Sequence, residues 1–332
     1  AMPRFALREW ALALLATSCT IALFRQDGGS AQFLITLDLA VFFGTFIAML
    51  TLMKEAAERS ESVRQVGRYL TTQPSGRRYY ATAIGGHALG VFLNFAAVSL
   101  MAPLIQKGAQ DSNGCVDPEM ERRQLSALMR GFSWFVIWAP TSLAQAVLLM
   151  LFPEVDWPVL LVMGIGTTIL MILLGRGLDR YEWRHAERKN GTNPPRTPRH
   201  SLAVVTLVCV SLIGSTVVLG QVAGYSIAQA LMLVAPAITL IWYVLQGRPF
   251  GKDSPVRRVL SFGRVLKEAA PSLLRTAVVL GLSGLIGRAA ALVLPTREIA
   301  LWLDLGSVSP WVFLAVLPIL ITIGGQVALS PI

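Results

Sequence analysis

Long apolar runs separated by short polar breaks organise this chain. Residues 5–24, 33–53, 81–105, 158–175, 202–220, 224–246, 273–294 and 310–332 are each predominantly apolar. Each approaches or exceeds the length that crosses a hydrocarbon core of ~30 Å at ~1.5 Å per residue. A ninth run, RGFSWFVIWAPTSLAQAVLLMLF over 130–152, is interrupted near its middle by Ala139-Pro140-Thr141-Ser142. Proline has no N–H and clashes with the preceding turn, so a continuous helix there would leave backbone groups that lipid cannot satisfy. The pattern predicts an all-α polytopic membrane protein of about seven to nine transmembrane helices. Broken helices are expected at Pro140, at Pro236 and at Pro318 with Gly324-Gly325.

Composition agrees: 54% of residues are hydrophobic and only 14% charged, against roughly one quarter charged in soluble domains, and mean hydropathy is +0.59. The net charge of +10 is concentrated in loops. Lys54, Arg59, Arg64, Arg68, Arg77 and Arg78 lie in 54–80, and Arg176, Arg180, Arg184, Arg188, Lys189, Arg196 and Arg199 in 176–200. Arg248, Lys252, Arg257, Arg258, Arg264 and Lys267 follow the run that ends at 246, on a stretch with an apolar face of its own. Basic loops face the cytoplasm, so these three share a side. In 106–126, Asp111, Asp117, Glu119 and Glu121 offset Lys107, Arg122 and Arg123, which places that loop outside. The expected location is the cell inner membrane, with the N-terminus and basic loops cytoplasmic.

Parity then bears on 130–152. If that stretch crossed fully from an outside 106–126 loop, the basic 176–200 loop would also fall outside. A re-entrant hairpin with its tip at Pro140 puts every loop on its expected side, and about ten residues per arm are too few to span the core. The alternative is a Pro-kinked full helix with another span miscounted. The chain divides into a first half of about 1–175, a basic Pro-rich linker 176–200 and a second half 201–332. That half ends in an apolar run, so the natural protein is expected to continue. Gln145-Ala146-Val147-Leu148 and Gln326-Val327-Ala328-Leu329 hint at two repeats.

Candidate chemistry follows from polar groups inside apolar runs. Thr141, Ser142 and Gln145 flank the first break beside Pro140, and Gln326 and Ser330 flank the last. Half-helix N-termini present free N–H groups to anions, so these residues are candidate substrate ligands, though Ser and Thr in such helices also bond their own backbone. Arg288 offers a planar fork to a carboxylate, or an ion pair to Asp38. Asp38, His87 and Asn94 are candidates for proton or Na⁺ coupling, or for purely structural helix contacts. Cys19 and Cys209 lie in apolar runs and only Cys115 in a loop, so no disulfide framework or metal site is expected. Walker A, HExxH and GxSxG motifs are absent, which argues against an enzyme, and no basic patch with stacking aromatics points to nucleic acid.

The segments GFSWFVIWAPTSLAQAV, FPEVDW and PILITIGGQVALSPI resemble the ion-transporter superfamily of secondary carriers, which includes gluconate, citrate and dicarboxylate permeases. The resemblance covers 81–332 in pattern, without a Ser-Asn-Thr signature at either break. It implies two repeats, each with a re-entrant hairpin and a broken helix, and cation-coupled movement of an organic anion. Pro140, Thr141, Ser142, Gly324, Gly325, Ser330 and Pro331 would line the site. The expected function is a secondary active transporter of a small anionic solute coupled to H⁺ or Na⁺, with no cofactor. Expected partners are the solute and membrane lipids, with a homodimer as the assembly. The alternative is a membrane-embedded subunit or scaffold that binds a partner through its basic cytoplasmic loops.

Overall fold

The computed structural model describes residues 7–26, 28–110, 115–152, 154–184, 196–246 and 255–295, with four single positions (298, 301, 309 and 312) beyond them. The described regular elements are helices: α1 Leu7–Phe24, α2 Gly29–Glu58, α3 Glu61–Thr71, α4 Ser75–Leu93, α5 Ala96–Gly108 and α6 Pro118–Phe132. A 3₁₀ segment, Ser133–Ile137, leads towards α7 Leu143–Leu151, followed by α8 Trp157–Glu182, α9 Arg199–Ala223, α10 Ile227–Leu245 and α11 Pro255–Val293. One antiparallel bridge joins Gln110 to Val116. The expected all-α class is what forms. Among the described residues five helices are long and apolar enough to cross a membrane: α2, α8, α9, α10 and Leu273–Val293 of α11. The expected run 310–332 lies outside the described residues, apart from the single position 312.

Contacts divide the chain into two compact units. The second is built from Phe5–Val41 and Val279–Ile332. Its first two helices reverse at Gly28, whose φ of +75° suits glycine, and a Cβ on Gly29 would strike the Leu23 carbonyl. Phe24 and Phe33 pack with ring centroids 5.1 Å apart.

The first unit, Phe42–Val278, buries a core that includes Phe46, Phe92, Met101, Leu128, Leu212 and Trp242. α3 starts on Ser60, whose hydroxyl accepts from the Val63 N–H, a cap that satisfies one of the free donors of a first turn. Its inner face, Val63, Val66 and Gly67, is buried. α9 and α10 form the expected out-and-back pair. The reversal uses Gly224 at φ +69° and a capping box between Ser226 and Gln229. Pro103, Pro236 and Pro271 sit inside α5, α10 and α11, so Pro236 does not break its helix as expected.

Two elements differ from expectation. The run 81–105, expected as one span, is two helices that turn at Asn94. A Cβ on Gly85 of α4 would strike Leu70 of α3, a Cβ on Gly67 of α3 would strike Leu104 of α5, and Gly108 of α5 faces the Thr71 carbonyl. The last turn of α3 therefore touches both arms, nine residues before the turn and ten after it. The exposed Phe95 stands at the tip.

The run 130–152, expected to turn back at Pro140, instead continues along α8. Arg123 forks Asp179 at 2.9 and 2.8 Å, and Arg130 donates to Glu182 at 2.7 Å and to the Gly175 carbonyl at 3.4 Å. Thr168 Oγ1 reaches the Trp134 carbonyl at 3.5 Å, and Trp138 lies against Gly164. The contacts step along α8 towards its start, with the short link 152–157 closing the path. α8 has 26 residues, about 39 Å of helix, so 123–152 passes from one end of it to the other. Tyr79 donates to the Ile172 carbonyl at 3.2 Å and Arg176 lies over the Tyr79 and Tyr80 rings. The starts of α4 and α6 thus lie at the α8 C-terminus. Ser201 at the start of α9 donates to Gln65 of α3 at 2.6 Å.

Asp179 anchors this end. Its buried carboxylate takes Arg123 and, at 2.9 Å, Arg176, the pairing that a buried charge requires. Close approach of α4 and α6 depends on small residues: a Cβ on Gly131 would strike the Ala83 backbone, while Gly177 of α8 has open space around it. Gly131→Ala should therefore destabilise the protein by about 1–3 kcal/mol. Gly177→Ala should stabilise it by about 0.5–1 kcal/mol through helix propensity. Thermal unfolding of the detergent-purified chain should rank Gly177→Ala above wild type and Gly131→Ala below it.

Candidate functional site

The two chain breaks meet. α4 ends where Asn94 adopts φ 55° and ψ −138°, a region that side-chain-bearing residues seldom occupy. Its own N–H still bonds the Gly90 carbonyl at 2.8 Å. The Asn94 amide donates from Nδ2 to the Thr141 carbonyl at 2.9 Å, and its Oδ1 accepts from the Phe95 N–H at 2.8 Å. In return the Thr141 hydroxyl donates to the Val91 carbonyl. Each break thus lends a side chain to the other's backbone, as buried backbone groups require.

On the other side the chain leaves the 3₁₀ segment through Trp138, whose N–H bonds the Phe135 carbonyl at 3.3 Å. It then turns over Pro140, where Ser142 N–H reaches the Ala139 carbonyl at 2.9 Å. Ser142 caps α7, its hydroxyl accepting from the Gln145 N–H at 3.4 Å. A serine at this position is what a helix N-terminus selects.

Asn94, Thr141, Ser142 and Gln145 are all buried, Gln145 at 2% exposure. Two of the buried donors without a hydrogen-bond partner lie here, Gln145 Nε2 and the indole Nε1 of Trp138; others, among them Gln124 Nε2, Trp157 Nε1 and Trp242 Nε1, lie elsewhere. The first two flank the break from either side in sequence. Leaving a buried donor unpaired costs about 1–3 kcal/mol, so each asks for an acceptor. One turn and two turns before Asn94 on the same face of α4 are Val91 and His87. The half-buried His87 bonds the Gly131 carbonyl through Nδ1 at 3.1 Å, and its ring lies 5.6 Å from that of Trp138.

Of the residues expected at the site, Pro140, Thr141, Ser142, Gln145 and Asn94 come together and His87 stands beside them. Asp38 and Arg288 belong to the second unit, both exposed, and no ion pair joins them among the described residues. Gln326, Ser330, Gly324, Gly325 and Pro331 lie outside the described residues, and with them the second break and the second copy of the expected repeat. Trp138 was missed, because a tryptophan in an apolar run reads as packing. Its place two residues before Pro140 was the available signal.

Away from the breaks, charged groups gather at the α8 C-terminus. Burial pushes the Arg78 guanidinium below its ordinary value, with Arg123 adding to the shift and Asp117 opposing it. Among the described residues no group of His, Cys, Asp and Glu is arranged to hold a metal ion. No family model, curated protein or solved structure matches the chain.

If Asn94 is chosen for its positive φ as well as its amide, its replacements separate the two roles. Asn94→Gly and Asn94→Ala both lose the bond to Thr141, but only alanine resists the left-handed backbone, by about 1–2 kcal/mol. Chemical or thermal unfolding should find Asn94→Ala the less stable by that margin. Equal stabilities would count against strain at the turn.

Proposed function

We propose that this protein is a membrane carrier of a small anionic solute, with its binding site where the two chain breaks cross. The observation that carries the reading is the pair of buried, unpartnered donors, Gln145 Nε2 and Trp138 Nε1, on either side of the break at Pro140. A carboxylate or other oxyanion supplies the acceptors they lack, and the N-terminus of α7 adds a partial positive charge. Discontinuous helices at such a depth are tolerated where they are buried in protein or line a cavity. Transport would be coupled to H⁺ or Na⁺, as in the secondary carriers the sequence resembles.

The same reading places the chain in the membrane. The α4–α5 pair dips in from the basic face and returns, with its tip at Asn94 and Phe95. The run from α6 to α7 crosses to the other face and α8 crosses back. The basic face is cytoplasmic, and an inner membrane is the setting. A second reading, a scaffold docking a partner on this face, is favoured by Arg68, Arg77, Arg122 and Arg180. None of these has an ion pair among the described residues.

Three experiments test the proposal. In a chain freed of Cys19, Cys115 and Cys209, Gln110→Cys and Thr197→Cys should react with an impermeant thiol reagent from one face and Glu154→Cys from the other. Labelling of Gln110→Cys and Glu154→Cys from the same face would restore a hairpin at Pro140. Thermal shift of the purified chain against succinate, citrate, gluconate and Na⁺ reads the site by mass action, about 2.7 kcal/mol at a hundredfold excess over Kd. Gln145→Leu should leave the empty protein as stable as wild type or about 1 kcal/mol more so, since no hydrogen bond of Nε2 is lost, yet abolish the shift. Ser142→Ala should lower transport at unchanged expression. Were Gln145→Leu simply destabilised, with its shift retained, the site would lie elsewhere.

A further inference from the structure

We infer that the seam between α4 and α8 holds an anionic phospholipid, with its phosphate on Arg77 and Arg180 and an acyl chain on Ile84, Ile169 and Leu173. The inference rests on α8 lying in the membrane and is independent of the carrier reading.

The seam has a closed side and an open one. Tyr79, Ala83, Ala127 and Ile172 form a buried cluster where α4, α6 and α8 meet. α6 closes one side of it, since Arg123 and Arg130 reach Asp179, Gly175 and Glu182 of α8. On the other side Tyr80 and Ile84 come one residue after the buried Tyr79 and Ala83, and both are exposed. Ile169, Leu173 and Arg180 stand on α8 at spacings of four and seven, so they share one face, and all three are exposed. Arg176 joins the two helices from beneath, its guanidinium 5.7 Å from the Tyr79 ring and 5.6 Å from that of Tyr80.

The two helices run antiparallel. Tyr79 bonds the Ile172 carbonyl, whereas His87, two turns later on α4, lies beside Trp138, which packs on Gly164. Arg77, three residues before Tyr80, and Arg180, four after Arg176, therefore lie at the same end of the seam. α4 carries no acid, and both acids of α8 are taken, Asp179 by Arg123 and Arg176 and Glu182 by Arg130. Arg77 and Arg180 are exposed and have no ion pair among the described residues. The mouth of the seam thus carries two positive charges that neither helix neutralises.

Charge and depth together select the occupant. A guanidinium matches a phosphate through two parallel hydrogen bonds, and the Tyr80 hydroxyl adds a donor beside it. From Arg180 back to Ile169 is about 16 Å of helix, and one leaflet is about 15 Å, half of a ~30 Å core. Ile84, Ile169 and Leu173, each more than half exposed, line that depth below the charges. A soluble anion or a soluble protein on the arginines would leave this apolar wall uncovered, whereas a phospholipid covers both parts at once. Basic pockets between transmembrane helices are where anionic headgroups bind.

The test titrates the full chain, purified in a neutral maltoside detergent, with phosphatidylglycerol or phosphatidylcholine and counts bound lipid by native mass spectrometry. Wild type should bind phosphatidylglycerol in preference to phosphatidylcholine. Arg77→Gln and Arg180→Gln should each weaken phosphatidylglycerol binding about fivefold, which corresponds to about 1 kcal/mol per arginine, and the double variant roughly 25-fold. Without added lipid their unfolding temperatures should match wild type, since neither side chain gives up an ion pair. Arg122→Gln removes the same charge from α6, the helix that closes the opposite side, and should leave phosphatidylglycerol binding unchanged. An equal loss in Arg122→Gln would make the effect one of diffuse charge. Displacement of the lipid by glycerol phosphate would make the arginines a site for a soluble anion, and undiminished lipid binding in the double variant would leave them to a protein docking on this face. Each of these results overturns the inference. Failure of the membrane placement is read separately, by labelling of Glu154→Cys and Thr197→Cys from one face, and failure of the carrier reading by the absence of any solute shift.

Discussion

A peptide group removed from water must find a partner, and in an apolar surrounding only the chain itself can supply one. A helix meets that demand along its length and fails at its ends. This protein contains two interior ends of that kind, at Asn94 and at Ala139–Ser142, and they are placed against each other. Asn94 serves the Thr141 carbonyl while Thr141 serves the Val91 carbonyl. Each break satisfies a buried carbonyl of the other, although 47 residues separate Asn94 from Thr141.

The packing around the crossing follows from that pairing. For the breaks to meet, α4 and α6 must run close together, and their contact is lined by Gly86, Gly90, Ala83 and Gly131, where side chains would collide. At the far end, Asp179 with its two arginines sets the register of α6 on α8. Glycine contacts and a buried ion cluster thus fix where along the α4–α6 contact the polar crossing lies. The amide of Gln145 and the indole of Trp138 lie buried in that framework without partners. An unsatisfied group that persists in a well-determined frame is a reasonable place to look for a ligand.

Much of this was legible from residue patterns. The helical class, the apolar runs, the α9–α10 reversal and the break at Pro140 with Thr141, Ser142 and Gln145 beside it all follow from hydropathy and from proline chemistry. The turn at Asn94 did not, and the reason is physical. Proline announces itself by the hydrogen bond it removes, yet Pro103, Pro236 and Pro271 are absorbed inside helices. Asparagine removes nothing locally. It ends α4 because its short amide tolerates positive φ and reaches a carbonyl 47 residues away, which no window of sequence contains. Trp138 was hidden for the same reason, since its unpaired N–H is a property of what surrounds it.

The loop charges show how far such a constraint reaches. Charge bias fixes which loops share a face, and hence only whether the number of crossings between them is odd or even. Between the basic loops 54–80 and 176–200 that number must be even. One reversal at 130–152 plus crossings at 81–105 and α8 meets the condition. So does a reversal at Asn94 plus crossings at α6–α7 and α8, and the charges cannot tell them apart, because 106–126 carries both signs. What separates the two is contact: Leu104 returning to Gly67 on one hand, and Trp138 advancing to Gly164 on the other. Under the proposed placement, exchanging the two elements preserves every basic loop while moving the tip of the hairpin from a proline to an asparagine. What the contacts themselves give is a crossing of two breaks, with Asn94 bonded to Thr141 and Thr141 to Val91.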